Sequence, residues 1–283
     1  MTTTALTDEA EGLRERVGTL LGRLWAPVIA TIARARHARM FHPDGHTFTG
    51  VAVAADDPSG PHDPALMAVG RALTGRVLAR FSGALWRGEV EHLDVLGLAL
   101  RFRTGSAPFD AAARPGDTDL LTATIRSPLT LLAAPFVTDA SDFVGNRYWA
   151  VSPFAVPDAR VELRLVPIHD GPHEGSRLER LRAAVDAGRA AWWLQARRTL
   201  HLRWQRIARI TITGALDVDQ AALRFDPFRG ALRPVGLIHA IRRAAYPASQ
   251  GARPSHAPSA TIVDGPGAAG ATVAACGPSR SSP

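Results

Sequence analysis

An arginine and a tyrosine near the end of the chain have types and a spacing that could do chemistry. Arg242 precedes Tyr246 by four residues, and on a helix residues i and i+4 lie on the same face. A fixed guanidinium charge beside a phenol favours the phenolate and therefore lowers the pKa of the tyrosine. A phenolate is a hard, anionic oxygen ligand that suits ferric iron. The stretch by itself fits an amphipathic helix with a half-buried tyrosine equally simply, and taken alone it favours that interpretation.

Size and composition restrict the classes of protein that come into question. The chain has 283 residues, 46% of them hydrophobic, enough for one large domain or two small ones with a substantial core. Its single cysteine, Cys276, excludes an intrachain disulfide and a cysteine-based metal site. All 33 basic residues are arginines, and they are scattered, so the net charge of +7 does not indicate a nucleic-acid partner. The acidic first residues and the absence of a long apolar run predict a cytoplasmic protein with neither a signal peptide nor a membrane insertion.

Periodic patterns predict the elements that would position reactive side chains. Strand patterns cover residues 47–54, 76–81, 96–102, 120–126, 161–166 and 207–214. Helices are predicted over residues 7–37 and after Ser176, where Ser176 and Glu179 form a capping-box pattern. On the second helix one face would carry Leu178, Leu181, Val185 and Trp192. Many strands with few helices predict an α+β fold, an antiparallel barrel with flanking helices.

Four further segments complete the predicted organisation. Residues 55–66 are expected to form a loop, and residues 129–137 either a strand or buried coil. From Pro254 onward the composition turns to Pro, Ser, Ala and Gly, which predicts a disordered tail over residues 254–283. Residues 1–35 are expected to be a helical segment that precedes the main domain.

Four segments, in order along the chain, resemble the motifs of the catalase superfamily. They are residues 39–50 (RMFHPDGHTFTG), 80–82 (RFS), 94–102 (DVLGLALRF) and 225–253, which begins FDP and ends RRAAYPASQGAR. In the last segment, Ser249 stands where the family has threonine. Each motif is weak by itself, but four in family order are specific. The resemblance covers roughly residues 36–253, which we expect to be the haem-binding barrel domain with a C-terminal proximal helix.

The resemblance implies an eight-stranded barrel with haem b between one barrel face and that C-terminal helix. Tyr246 is then the proximal ligand of the iron, since catalase haem is tyrosinate-ligated, and Arg242 is its charge partner. His42 is the distal acid/base, and Ser82 would hydrogen-bond to its ring and orient it. The haem propionates would pair with three further arginines, Arg39, Arg80 and Arg253.

One departure from the family pattern bears on the activity. Catalases carry a distal asparagine in a Gly-Asn-Asn run after an Asp-Leu pair. Here Asp119-Leu120 is followed by LTATIR, and Asn146 belongs to a later Gly-Asn pair. Because the family's asparagine helps to bind hydrogen peroxide, we expect a haem peroxidase that reduces organic hydroperoxides, with weak catalase activity at most. Its partners would be a peroxide and a small organic reductant. The chain could also assemble as a homodimer.

Other interpretations remain open from the sequence. The chain could be a hydroperoxide isomerase of the allene oxide synthase type, or a haem-free barrel that binds an anionic or lipid ligand. Taken singly, His42 could be a loop histidine, and Arg39 and Arg80 solvated charges. Three motif residues are expected to serve the barrel itself and not the chemistry, namely Asp94, Gly97 and Phe102. The histidines of residues 169–174 are expected to lie in a surface loop.

Overall fold

Eight strands close into an antiparallel barrel because apolar side chains recur at every second residue along them. The computed structural model describes residues 44–55, 63–86, 90–127, 130, 133–150 and 153–235. The strands are β1 (His46–Ala54), β2 (Gly75–Gly83), β3 (Leu96–Arg103), β4 (Thr118–Ala123), β5 (Tyr148–Trp149), β6 (Phe154–Val156), β7 (Ala159–Pro167), β8 (Ala191–Arg198), β9 (Gln205–Ala215) and β10 (Arg233–Pro234). The ring runs β1–β2–β3–β4–β5–β7–β8–β9 and closes on β1, while β6 pairs with β7 and β10 with β6. The predicted eight-stranded antiparallel barrel is therefore confirmed.

An aromatic cluster fills part of the barrel interior. The ring of Phe81 is fully buried, and its centroid lies 5.7 Å from Phe48, 5.4 Å from Phe143 and 5.8 Å from Trp192. Edge-to-face and tilted contacts of this kind add to the free energy gained by burying the rings. The four aromatic side chains are thus part of the packed core of the barrel.

The described residues form three helices beside the barrel, and the sequence explains where two of them begin. They are α1 (Pro64–Ala72), α2 (Ala134–Val137) and α3 (Arg177–Asp186). Asp63 caps α1 by accepting a hydrogen bond from the Ala65 N–H at 3.0 Å, and a proline in the first turn suits a helix start. The capping box predicted for Ser176 and Glu179 is present at the start of α3.

Several local predictions were wrong, and each has a physical reason. Residues 64–66 belong to α1 and not to a loop, because Asp63 caps a helix there. Residues 134–137 form α2, where Phe136 and Val137 are 76% and 78% exposed, because Pro135 suits a helical first turn and not a strand. Trp192 lies on β8 and not on the face of α3, since Gly188 adopts a left-handed φ of 65° after the helix. β4 ends at Ala123, three residues before the predicted end.

Asp63 also gives the fold a dependence on pH. The hydrogen bond from the Arg198 guanidinium is the main cause that lowers the pKa of the Asp63 carboxyl below its ordinary value. A lowered folded-state pKa contributes stability that is present above the unfolded-state pKa and is lost as the pH falls through the folded-state pKa. We expect the free energy of unfolding to fall less below about pH 4 in Asp63→Asn, which keeps the helix cap, than in the wild type. Urea unfolding at pH 7 and pH 3 checks this, and an unchanged loss in the variant would contradict it.

Candidate functional site

Two of the predicted site residues lie together on the outer face of β2. The residues of β2 that belong to the barrel core are Val77, Ala79 and Phe81. The alternate residues, Arg80 and Ser82, therefore point away from the barrel axis, yet each is only 4% exposed. The structure thus places a buried guanidinium and a buried hydroxyl two residues apart on the outside of the barrel.

Arg80 is held by polar partners that the sequence analysis missed. Its Nε donates a hydrogen bond to Oε1 of Gln220 at 3.0 Å. Nε2 of Gln220 in turn donates to Oγ1 of Thr47 at 3.0 Å, and Thr47 lies directly opposite Arg80 in the β1–β2 register. The chain of contacts fixes the direction of the arginine side chain. No local pattern marks Gln220, because its contact with Arg80 joins residues 140 positions apart.

At both glycines of the first motif, other backbone or side-chain atoms lie so close that a Cβ atom would not fit. A Cβ on Gly45 would lie 2.5 Å from Cζ of Arg80 and 2.7 Å from the Phe81 carbonyl oxygen. A Cβ on Gly50 would lie 2.5 Å from the carbonyl oxygen of Thr211, beside the irregularity in the β1–β9 register. Gly45 therefore lets the chain before β1 pass directly over the Arg80 guanidinium. The first and second motifs are in contact.

The third and fourth motifs meet at a buried ion pair. Nε and Nη2 of Arg101 donate to the two carboxylate oxygens of Asp119 at 2.8 and 3.1 Å, and both side chains are completely buried. The Asp226 N–H donates to the same carboxylate at 2.9 Å, and the Arg101 guanidinium lies 4.9 Å from the centroid of the Phe225 ring. This contact fastens the Phe225–Asp226 segment to β3 and β4.

Between these contacts, the outer face of the sheet carries small side chains. Across the strands, Ser82 lies opposite Gly97, which lies opposite Ala123, and in the next row Arg80 lies opposite Ala99. Ala99 also packs against the buried cluster of Leu78, Phe109, Leu223 and Phe225, and Ala123 belongs to a cluster with Ala134. The chemistry of the described residues therefore fits part of a haem site, with small side chains beside a hydroxyl and a guanidinium suited to a propionate.

Asp94 serves the barrel, as predicted. Its carboxylate is 1% exposed and accepts hydrogen bonds from the N–H groups of Ala84, Leu85 and Val95 at 3.0, 2.9 and 2.7 Å. Three backbone donors on one carboxylate fix the connection between β2 and β3. All three hydrogen bonds end on Oδ1 of the carboxylate.

The residue that follows β4 is Thr124. Thr124 is 5% exposed, and its hydroxyl accepts hydrogen bonds from the Leu96 N–H at 3.1 Å and from Oγ1 of Thr138 at 2.7 Å. The hydroxyl is therefore engaged within the protein. Asn146 donates to the backbone carbonyl oxygen of Asp139 at 2.7 Å and forms part of a turn.

The chain has two tyrosines, and the structure makes one of them unsuitable as a phenolate ligand. Tyr148 is completely buried, and its hydroxyl donates a hydrogen bond to the carbonyl oxygen of Phe143 at 2.7 Å. Burial raises the pKa of its phenol well above the ordinary value. If a tyrosinate binds iron in this protein, Tyr246 is the residue that remains.

The other predicted site residues lie outside the described residues. They are Arg39, His42, Arg242, Tyr246 and Arg253, and the predicted helix over 7–37 and the tail over 254–283 lie outside as well. Within the part of the chain that the structure describes, no group of three or more His, Cys, Asp or Glu side chains could hold a metal ion. In the surface loop predicted for residues 169–174, His173 is exposed.

The barrel has a catalase-like fold. A fungal catalase structure matches it with a TM-score of 0.51 at 12% sequence identity, over 76% of this chain and 59% of the catalase. A bacterial catalase matches with a TM-score of 0.49 at 12% identity, over 76% of this chain and 57% of that protein. The chain thus covers less than two thirds of either catalase. No model of a known protein family matches the sequence, and no curated protein is similar to it.

At such low identity, the likeness shows the fold and leaves the activity to be argued from the residues. Among the helices of the described ranges, none combines the length and the apolar character that crossing a bilayer requires.

Proposed function

We propose that the chain is a haem-dependent peroxidase that reduces organic hydroperoxides and has weak catalase activity at most. The observation that carries the proposal is that the described parts of the four motif segments contact one another in pairs on the outside of a catalase-like barrel. Gly45 of the first lies over Arg80 of the second, and Phe225 of the fourth lies over Arg101 of the third. The second motif also places a buried guanidinium and a buried hydroxyl, those of Arg80 and Ser82, on the outer face of β2. A role in the barrel alone would not require these two groups there.

In this proposal Ser82, Gly97 and Ala123 would belong to the face that holds haem b, and the bound haem would supply the redox chemistry of O–O cleavage. Arg80 would pair with a propionate, and the chain of hydrogen bonds through Gln220 and Thr47 would keep its guanidinium in place. A propionate is an anion that must be paired when it is buried, and a guanidinium is a suitable partner. Arg39 and Arg253 would provide the other cations.

The protein's part in the reaction is the movement of one proton. His42 would accept the proton from the terminal oxygen of the hydroperoxide and donate it to the oxygen that leaves as an alcohol. An imidazole can do both near neutral pH, because its ordinary pKa is about 6.5. The Ser82 hydroxyl would hydrogen-bond to the ring and keep one tautomer in position. Tyr246, with Arg242 favouring its phenolate, would be the residue that holds the iron.

The preference for organic hydroperoxides rests on the segment after Asp119-Leu120, where residues 121–126 (LTATIR) include no asparagine. This segment therefore offers no amide that could hold hydrogen peroxide. An organic hydroperoxide can be held through its carbon chain as well. Weak oxygen evolution from hydrogen peroxide is therefore expected.

Replacement of the proposed ligand tests the proposal. We expect purified protein, reconstituted with haem, to show a high-spin ferric Soret band, and Tyr246→Phe to lose it because no phenolate remains to bind the iron. Tyr148→Phe is the matched control, since Tyr148 is buried and donates to the Phe143 carbonyl. It should keep the band. Wild-type protein that stays colourless after reconstitution, or a Tyr246→Phe protein with an unchanged spectrum, would contradict the proposal.

A further inference from the structure

A second site lies on the outer surface of β5, β7 and β8, away from the face with Ser82. A pocket of about 440 Å³ is present there, and its charged lining consists of four arginines and one glutamate, Arg126, Arg147, Arg164, Arg197 and Glu162. One cross-strand row connects the two places, running Ser82, Gly97, Ala123, Trp149, Arg164. Four strand spacings correspond to roughly 19 Å along the sheet. The arginine pocket therefore lies at the opposite end of this row from Ser82.

Two of the arginines are held rigidly by one aromatic ring. The guanidinium carbon of Arg164 lies 4.1 Å from the centroid of the Trp204 ring, and that of Arg197 lies 4.6 Å from it. Nε of Arg164 donates a hydrogen bond to Oε1 of Gln195 at 2.9 Å. Stacking and the hydrogen bond fix the plane of the Arg164 guanidinium. Among the described residues, its two Nη groups make no hydrogen bond, so they are available for a ligand.

The positive charge of the pocket is only partly balanced by the protein. Nη2 of Arg197 lies 2.6 Å from Oε2 of Glu162, which neutralises that arginine. Within the described ranges, Arg126 and Arg147 have no carboxylate partner. Burial, followed by the charges of the neighbouring arginines, lowers the pKa of Arg164 to about 10. The guanidinium is still charged at neutral pH, and an anion in the pocket would relieve the repulsion between like charges.

We propose that this pocket binds the phosphate group of a phosphate monoester. A phosphate monoester carries close to two negative charges at neutral pH and three acceptor oxygens, which matches three guanidinium groups without a carboxylate partner. A carboxylate or a sulfate ester brings one charge only. The guanidinium fork also suits the oxygen atoms of a phosphate, to which it can donate two hydrogen bonds at once.

An adjoining pocket can take the organic part of such a ligand. Its volume is about 440 Å³, and it shares Arg126, Arg147 and Trp149 with the arginine pocket. Its wall includes the apolar side chains of Ala133, Ala134 and Val137. The two pockets together therefore offer a charged end and a less polar end, joined at Arg126 and Arg147.

Calorimetric titration with phenyl phosphate at pH 8 and low salt tests the site. Phenyl sulfate is the matched ligand, since it has the same shape and one negative charge fewer. We expect Arg126→Gln and Arg147→Gln each to weaken phenyl phosphate binding about tenfold or more, as loss of a charge-assisted hydrogen bond does. Both side chains are exposed, so the folded state should persist, as circular dichroism can verify. Arg209→Gln removes an exposed arginine from β9, outside the pocket lining, and should bind as the wild type does.

Three results would overturn the proposal. The first is that phenyl phosphate fails to bind, the second is that phenyl sulfate binds with the same affinity, and the third is that Arg209→Gln loses as much affinity for phenyl phosphate as the two pocket variants. Sedimentation with vesicles that contain phosphatidic acid identifies the source of the phosphate. Vesicle binding that is lost in the double variant Arg126→Gln/Arg147→Gln assigns a lipid headgroup, and binding of phenyl phosphate without vesicle binding assigns a soluble ester. Vesicle binding that persists in the double variant, without binding of phenyl phosphate, would also contradict the site.

Discussion

Asp119→Asn is expected to destabilise the protein by about 3–5 kcal/mol, the cost typical of breaking a buried ion pair on one side. The carboxylate of Asp119 accepts two hydrogen bonds from Arg101, and its Oδ2 also lies 2.5 Å from Nη1 of Arg229. Asparagine has nearly the same shape but no charge. The variant would leave the completely buried Arg101 guanidinium with Asp117 as its nearest carboxylate, at 3.9 Å, and Asp117 is already paired with Arg103 at 2.7 Å.

The matched control is a surface pair in the same region of the chain. Asp110 lies 3.2 Å from Arg114, and the two side chains are 51% and 43% exposed. Asp110→Asn should cost less than about 1 kcal/mol, because solvent screens an exposed pair. Urea unfolding monitored by tryptophan fluorescence measures both variants. Equal stability of the two would show that the buried pair does not hold the Phe225–Asp226 segment against β3 and β4.

The same ion pair shows how far the sequence could predict the fold. The motif over residues 94–102 predicted a barrel role for Asp94, and the structure confirms it with three backbone hydrogen bonds. The strand pattern predicted β3, but nothing local predicts that Arg101 pairs with Asp119 or that Arg229 joins them. Such contacts depend on which strands become neighbours. Neighbouring strands are set by closure of the whole barrel, not by the residues of one segment.

β8 escaped prediction for a related reason. Trp192 is completely buried in the barrel interior, while Trp193, the next residue, lies on the outer side, where the Arg206 guanidinium covers its ring at 4.8 Å. Large apolar side chains on both faces remove the alternation that marks a half-exposed strand. The opposite case is β1, where Val51 and Val53 are 42% and 59% exposed while Phe48 and Ala52 are buried. Its end at Ala54 was predicted correctly.

The candidate site was predictable only where a motif coincides with a described strand. Arg80 and Ser82 could be placed on one face, because residues two apart on a strand share a face. Gln220 and Thr47, which hold Arg80, belong to no recognised pattern. The arginine pocket was missed as well. Its four arginines come from separate segments, and only the pairing of β7 with β5 and β8 brings them together.

On the proposed function, His42→Ala is expected to lower kcat/KM for an organic hydroperoxide by about 100- to 10,000-fold, the range typical of losing a general acid/base. The reason is that no other group would move the proton between the two peroxide oxygens. The rate of oxidation of a small phenolic donor with cumene hydroperoxide measures the effect. The Soret band should be unchanged, because His42 is not the proposed ligand of the iron. Loss of the Soret band in His42→Ala would mean that His42 binds or positions the haem instead.

Ser82→Ala separates a positioning role from a catalytic one in the same assay. Ser82 is buried on the outer face of β2 opposite Gly97, so alanine removes the hydroxyl and little volume. If the hydroxyl only holds the His42 ring, the loss should be smaller, about 10- to 100-fold, as for other residues that orient a functional histidine. The pH dependence of kcat/KM should shift with it, since the hydroxyl stabilises one protonation state of the ring. His201→Ala, at an exposed histidine, serves as the control and should keep full activity. A His42→Ala enzyme as active as His201→Ala would remove the acid/base role from His42, and Ser82→Ala would then be expected to have no effect on the pH profile.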